Sequence, residues 1–435
     1  MISPEMTGAL GIAAMLVLLA LRMPIGIAML LVGAVGFGIL NGWQQALYAL
    51  GSYPYSYSAV YELAVIPLFV LMGNCAGASG MSRDLYKAAY AWVGHWRGGL
   101  ASATIVACAG FAAVSGSSVA SAVTMGRVCL PEMFRYKYDA RLATGTVAAG
   151  GTLGILIPPS TAFVIYAILT EQSIGRLLLA GFLPGILLAA LFIVAISLWT
   201  RARPELGPPG PVASRQDRLQ TLSRSGPMIF IVGTSIGGIY LGIFTPSEAA
   251  AVGAFLSFLY AFWRGTLDRK NFSGILLDTV TTTSFVFLIL IGAFVFGPFL
   301  ALSGLPELLA KYISGLDVPR LVILLILIAI YIVLGMFLEG FSILVLTLPI
   351  VIPIVEALHY DLIWFGVIMV IVLEMGLISP PVGINVFVVK GLVPDVPMGE
   401  IFKGILPFWI AMGVCVILLI AFPEIALVVT NSMIK

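Results

Sequence analysis

Charge is scarce in this sequence. Only 10% of its 435 residues are Asp, Glu, Lys or Arg, 60% are apolar, and the mean hydropathy is +1.11. A water-soluble domain carries roughly 25% charged residues, so no soluble fold can cover this chain, and it has to sit in lipid. Histidine is scarcer still. His95 and His359 are the only two, too few for bis-histidine haem ligation or a His-Glu-x-x-His zinc pair, and both fall in loops where solvation is expected. The four cysteines, Cys75, Cys108, Cys129 and Cys415, lie in or beside apolar stretches with no close pair, which argues against a disulfide framework and a metal knuckle. A phosphate-cradling Gly-x-x-x-x-Gly-Lys-Ser/Thr loop is missing, which removes ATP-driven pumping, and nothing else in the sequence reads as an enzyme. The net charge of +2 implies no polyanion, so nucleic acid is not an expected partner. The first 21 residues lack Lys and Arg and include Glu5. Without the basic n-region of a cleavable signal, the first apolar run is expected to be a permanent span.

What is present is a series of apolar segments that repeats. Identical residues recur at an offset of 222 to 224: Pro24 with Pro246, Gly73 with Gly297, Ser79-Gly80 with Ser303-Gly304, Leu85 and Lys87 with Leu309 and Lys311. The order continues through Gly116 and Ser118 with Gly340 and Ser342, Gly154 and Pro158-Pro159 with Gly376 and Pro380-Pro381, and Gly181-x-Leu183-Pro184 with Gly404-x-Leu406-Pro407. Shared apolar composition does not produce one offset across Gly, Pro, Ser and Lys, so the chain reads as a duplication. The first half, 1–200, offers spans at about 5–22, 24–41, 60–79 and 176–199, an amphipathic stretch at 81–97, a hairpin-like segment at 98–131 and a broken helix at 138–170. The second half, 224–435, mirrors it, with an amphipathic stretch at 303–318, a hairpin at 320–358 and a broken helix at 361–392. Residues 201–223, rich in Pro and Arg, form the linker.

Charge then orients the halves. If 98–131 turns back within the membrane, each half crosses five times and the second half is inverted relative to the first. With the linker in the cytoplasm, only Arg176, Lys311, Arg320 and Lys435 of the 22 basic residues fall outside, as the positive-inside rule requires. The expected fold is therefore an all-α polytopic membrane protein of two inverted-topology repeats with re-entrant hairpins and broken helices.

Chemistry is expected at the breaks. A helix can be interrupted at membrane depth only where protein or a watery cavity satisfies the freed amides and carbonyls. The four interruptions are Ser115 to Ser118, Glu339 to Ser342, Gly154 to Ser160 and Gly376 to Gly383. Proline frees a carbonyl and glycine permits the tight turn. Such neutral oxygens suit sodium, and half-helix N-termini suit an anionic group. Glu62, Glu248, Asp278, Glu339 and Glu374 lie within or at the ends of apolar segments, where a charge is costly and often functional. Glu248 in Thr245-Pro246-Ser247-Glu248 reads more simply as a helix cap.

Four motifs carry a resemblance. Ser115-Gly116-Ser117-Ser118-Val119-Ala120, the run Gly150 to Ser160, the run Phe244 to Ala254 and the run Gly376 to Asn385 resemble, in order and nearly end to end, the large membrane subunit of TRAP (tripartite ATP-independent periplasmic) transporters. Ser121 departs from the pattern, since many relatives carry Thr or Asp there. The resemblance implies a sodium-coupled secondary importer of the ion-transporter superfamily in the bacterial inner membrane, with an elevator-type scaffold and transport domain. It also implies two partners, a small four-helix membrane subunit, expected here as a separate chain, and a periplasmic binding protein that delivers an organic acid. Combined with the repeat, it places Ser115, Ser118, Gly154, Ile157 and Pro159 around one sodium ion and Gly340, Gly376, Ser379 and Pro381 around a second. Ser117, Ser160, Thr161, Asn385 and Glu339 remain for the substrate. Proton coupling through Glu339 or Glu374 and, less readily, an ion channel built on the broken helices are the alternatives.

Overall fold

Peptide groups shielded from water must bond to one another, and a lone segment can do this only as a helix. The computed structural model describes residues 3–433 and contains α-helices joined by short turns, with no strand among the described residues; Lys435, expected outside, lies beyond them. Five helices are long and apolar enough to cross a bilayer: Tyr61–Ala78, Ile174–Ala202, Arg269–Ser303, Gly340–Ala357 and Met398–Ala421. A sixth span is the pair Ala140–Leu156 and Thr161–Leu169, bent by 42°. Pro4–Ala20, Ile25–Asn41, Gly99–Ser115, Arg320–Gly335 and Leu362–Leu377 are shorter apolar helices. At about 1.5 Å per residue, such helices reach roughly 25 Å against a hydrocarbon core of about 30 Å.

Helix boundaries fall where the punctuation predicts. Gly99–Ser115 and Ser118–Arg135 meet at Gly116, whose φ of 62° is left-handed, and Ser117 caps the second arm. Arg320–Gly335 and Gly340–Ala357 meet across residues 336–339 without a left-handed residue, and Glu339 caps the second arm. Each broken helix begins alike. Lys137 and His359 take positive φ, and Asp139 and Asp361 then cap Ala140–Leu156 and Leu362–Leu377. The Pro158–Pro159 and Pro380–Pro381 bonds are both cis.

Two boundaries differ from expectation. Inside the expected linker, helix Phe182–Ala202 runs in from one side and Arg215–Tyr240 from the other, leaving 203–214 without α-helix. The reason is a capping box in which Ser214 and Asp217 satisfy each other's amides. Trp43–Ser58 is a helix where no span was expected. Its Trp, Tyr, Gln and Ser residues break the apolar run, and Trp43, Tyr48 and Tyr55 are exposed on it.

Packing divides the helices into two groups. In one, Ile25–Asn41 crosses Arg269–Ser303 and Val65–Ala78 lies along Pro246–Trp263. A Cβ on Gly292 would stand 2.5 Å from the Gly26 carbonyl oxygen, so this crossing tolerates only glycine. Lipid offers no hydrophobic drive for helix association, and close approach of small residues takes its place. The other group gathers both hairpins, both broken helices, Phe182–Ala202 and Met398–Ala421. There Gly145 meets Gly404, and a Cβ on either would collide with backbone across the crossing. The amphipathic helices Met81–Val93 and Leu305–Ser314 lie between the groups, against Gly99–Ser115 and Gly340–Ala357 respectively. Met81–Val93 is tied to the first group by a 3.0 Å ion pair from Arg264 to the buried Asp84.

Candidate functional site

The first hairpin folds its tip onto the first broken helix. Ser115 Oγ lies 2.8 Å from Ser121 Oγ and 3.1 Å from the Ser117 carbonyl, to which it donates. Opposite them, helix Ala140–Leu156 presents Gly154. A Cβ there would stand 2.5 Å from both the Ser117 carbonyl oxygen and Ser121 Oγ. Gly151, one turn earlier, would bring a Cβ to 3.1 Å from the Ser118 carbonyl oxygen. The Gly116 carbonyl accepts a 2.9 Å hydrogen bond from Thr161 Oγ1, and a Cβ on Gly116 would lie 2.9 Å from the Pro159 carbonyl oxygen. Thus Ser115, Ser117, Ser118, Gly154, Pro159 and Thr161 are brought together at the first tip and break. Ile157 joins them through the chain alone, because its side chain packs against Gly185 on the far side.

The second tip and break are built more openly. Gly376 packs on Gly335, where a Cβ would stand 2.5 Å from the Gly335 Cα, and Gly340 lies near Leu377. Ser379 Oγ donates to the Met375 carbonyl at 2.6 Å and accepts from Trp409 Nε1 at 3.0 Å. Its hydroxyl proton is therefore already used, and one lone pair is left. Pro380 and Pro381 are exposed, whereas residues 157–160 of the first break are buried.

The remaining polar candidates separate by what they already hold. Ser117 Oγ accepts from the Ala120 amide and Ser160 Oγ from the Phe163 amide. Glu339 Oε2 accepts from the amides of Phe341 and Ser342, at 3.0 and 3.2 Å. Asn385 is fully buried, and neither its Oδ1 nor its Nδ2 has a partner. It stands in the first turn of Ile384–Leu392, a helix that packs against the first hairpin. A buried amide left unbonded costs about 1–3 kcal/mol, so Asn385 is a polar group whose bonding capacity the fold itself does not use. Glu374 is likewise buried with Oε2 unbonded, and the Ser118 hydroxyl and, farther off, the Glu339 carboxyl are among its neighbours.

Other residues named from the sequence lie elsewhere. Glu248 closes a capping box with Thr245 and is exposed, as expected. Glu62 is exposed in a short 3-10 turn and Asp278 lines a cavity. His359 is exposed, but His95 is half-buried beside Trp96 with its Nδ1 shielded and unbonded, because the chain folds back over it at Gly210, whose amide bonds to the Gly94 carbonyl. Two participants escaped the sequence reading, Ser121 as an oxygen beside Ser115 and Trp409 as the donor to Ser379.

Oxygen is the only donor type at the first tip, and no group of three His, Cys, Asp or Glu that could hold a metal occurs among the described residues. Hydroxyl and carbonyl oxygens around a glycine suit a hard monovalent cation and fit a transition metal poorly.

Residues 12–425 match the family described as "Tripartite ATP-independent periplasmic transporter, DctM component". The chain is 36% identical over 372 residues to the C4-dicarboxylate TRAP transporter large permease protein DctM of Pseudomonas aeruginosa, covering 85% of this chain and 86% of that one. It is 33% identical over 422 residues to the sialic acid TRAP transporter large permease protein SiaM of Vibrio cholerae, covering 94% and 95%. Among solved structures, the YdaH transporter of Alcanivorax borkumensis superposes with a TM-score of 0.66 at 14% identity, over 89% of this chain and 90% of that one, a likeness of fold alone.

Proposed function

The chain belongs to the tripartite ATP-independent periplasmic transporter family as a DctM component, a multi-pass membrane permease and not an enzyme, and from that membership we propose that it imports an organic carboxylate coupled to sodium. The observation that carries the coupling is the Ser115, Ser117, Ser118 and Ser121 oxygen cluster facing Gly154. Main-chain and hydroxyl oxygens there would hold one ion, and Gly340, Gly376, Ser379 and Pro381 would surround a second. A cation at each break offsets the negative ends of the half-helices and supplies a counter-charge for a carboxylate that neutral side chains cannot give. Ser117, Ser160, Thr161, Asn385 and Glu339 are the polar groups offered to the substrate, with the unbonded amide of Asn385 the best placed. Relatives are named for C4-dicarboxylates and sialic acid, both organic acids, and the same class is proposed here.

The movement proposed is of the elevator type in the bacterial inner membrane. The hairpins and broken helices would travel as a transport domain past a scaffold of Ile25–Asn41, Val65–Ala78, Pro246–Trp263 and Arg269–Ser303. The matching order of helices and caps in the two halves supports reading them as repeats, and the distribution of basic residues supports their inversion with the linker in the cytoplasm. A small four-helix subunit would widen the scaffold, and a periplasmic binding protein would deliver the acid from outside.

Reconstitution of the chain with both partners in liposomes tests this. Replacing sodium by choline at fixed pH should stop uptake, and the chain without its partners should give no robust uptake of free acid. The second reading, proton coupling, is favoured by the unbonded Oε2 of Glu374. Uptake that persists in choline and follows the pH gradient would select it.

A further inference from the structure

The oxygen cluster at Ser115 opens onto a cavity of about 680 Å³ between the first hairpin and the neighbouring scaffold helices. Ser115 is among its lining residues, and Ala120 and Thr124 of Ser118–Arg135 form one wall. Val65–Ala78, Met81–Val93 and Arg269–Ser303 form the other walls. Arg83, Arg127 and Lys270 line it, and none of them makes an ion pair among the described residues. The single acid in the lining is Asp278. The volume lies within the range of about 300–1,000 Å³ usual for clefts that hold small organic ligands.

We propose that this cavity is an anion-binding vestibule in which the carboxylate rests after leaving the helix breaks and before it reaches the cytoplasm. The inference builds on the proposed import of a carboxylate and adds a second, separate place for it. A bias of basic residues toward the cytoplasm explains cations in loops. It does not explain why three cations on three different helices line one cavity whose walls include Ser115 of the candidate ion site. Nor are these positions chosen for helix stability. Arg83 and Lys270 stand in the first turns of Met81–Val93 and Arg269–Ser303, where the helix dipole disfavours a cation. An excess of positive charge in a low-dielectric cleft concentrates anions there.

The cavity is also divided between the two packing groups. Arg127 belongs to the hairpin, while Lys270 belongs to a scaffold helix and Arg83 to the helix bound to the scaffold through Asp84 and Arg264. Travel of the hairpin past the scaffold separates Arg127 from the other two. The vestibule is therefore assembled on one side of the transport cycle and taken apart on the other, which lets the acid leave without holding it when the site faces outward.

The test measures the cavity without transport. In the full chain with its four native cysteines replaced, Thr124→Cys supplies a thiol on the cavity wall. Its reaction rates with a negatively and a positively charged methanethiosulfonate reagent are compared, and protection by succinate is measured in sodium-free buffer. The anionic reagent should react faster, succinate should slow it, and Arg127→Gln, Lys270→Gln and Arg83→Gln should each lower the rate ratio by about three-fold or more. Arg127→Lys should restore the ratio. Because the three neutral variants lie on three helices, a common loss cannot be one misfolded element. An unchanged ratio in all three, or no protection by succinate in the parent, would overturn the vestibule. Since neither the charge selectivity nor the succinate protection requires uptake or sodium, failure of the import proposal would show as absent uptake with both of these intact.

Discussion

Thr161 Oγ1 donates a 2.9 Å hydrogen bond to the carbonyl of Gly116, across 45 residues of sequence. The tip of the first hairpin and the restart of the first broken helix are thereby joined, so the ion proposed at the tip would engage both elements. Thr161→Val removes the donor and leaves a buried carbonyl short of a partner, a loss of about 0.5–2 kcal/mol. Thermal unfolding in detergent should shift downward, the sodium concentration for half-maximal uptake should rise, and Thr161→Ser should recover both. Retention of both properties in Thr161→Val would show that the bond does not couple the two elements.

Gly154 is the position where one methyl group should matter most. Its Cβ would stand 2.5 Å from two of the oxygens of the candidate ion site, so Gly154→Ala fills the space between them. Sodium-dependent uptake should fall at least about ten-fold, a loss of roughly 1.4 kcal/mol or more in ion binding. Gly297→Ala, with nothing within 4 Å of its Cβ, is the control and should transport like the parent. Equal uptake by both variants would place the ion elsewhere.

Much of this arrangement can be read before any coordinates. Gly116, Gly154 and the Pro-Pro pairs interrupt apolar runs in a way that packing cannot disguise, and Ser117 and Ser160 announce the helices that restart after them. Ser121 is hidden for a different reason. It lies one turn beyond the tip, and only the fold of the hairpin returns its hydroxyl to Ser115. Trp409 reaches Ser379 from another helix, 30 residues away, which no local pattern encodes. The prolines of 201–223 read as a linker, while Ser214 and Asp217 start a helix within it that the prolines outweigh in the sequence. Trp43–Ser58 cannot be read as a span because its aromatic and polar residues leave no long apolar run.

The proposed topology has its own test. Single cysteines in a cysteine-free background at Arg135 and Arg215 should be labelled only from the cytoplasm, and one at Tyr53 only from outside. Labelling of the Arg135 position from outside would mean that 98–131 crosses the membrane, and the inversion of the two halves would fall with it.

The central claim is that sodium binds at the breaks and drives uptake, and the sodium dependence of uptake in Ser115→Ala measures it most directly. Liposomes containing the chain and both partners are titrated with sodium at fixed pH, for the parent, Ser115→Ala and Ser379→Ala. Loss of an ion-binding hydroxyl should cost about 1–3 kcal/mol. Half-maximal uptake should then need about five-fold more sodium or higher in each variant, with substrate saturation at least partly recovered at very high sodium. Unchanged sodium dependence in both variants, together with an altered dependence on pH, would contradict the account and favour a proton as the coupling ion.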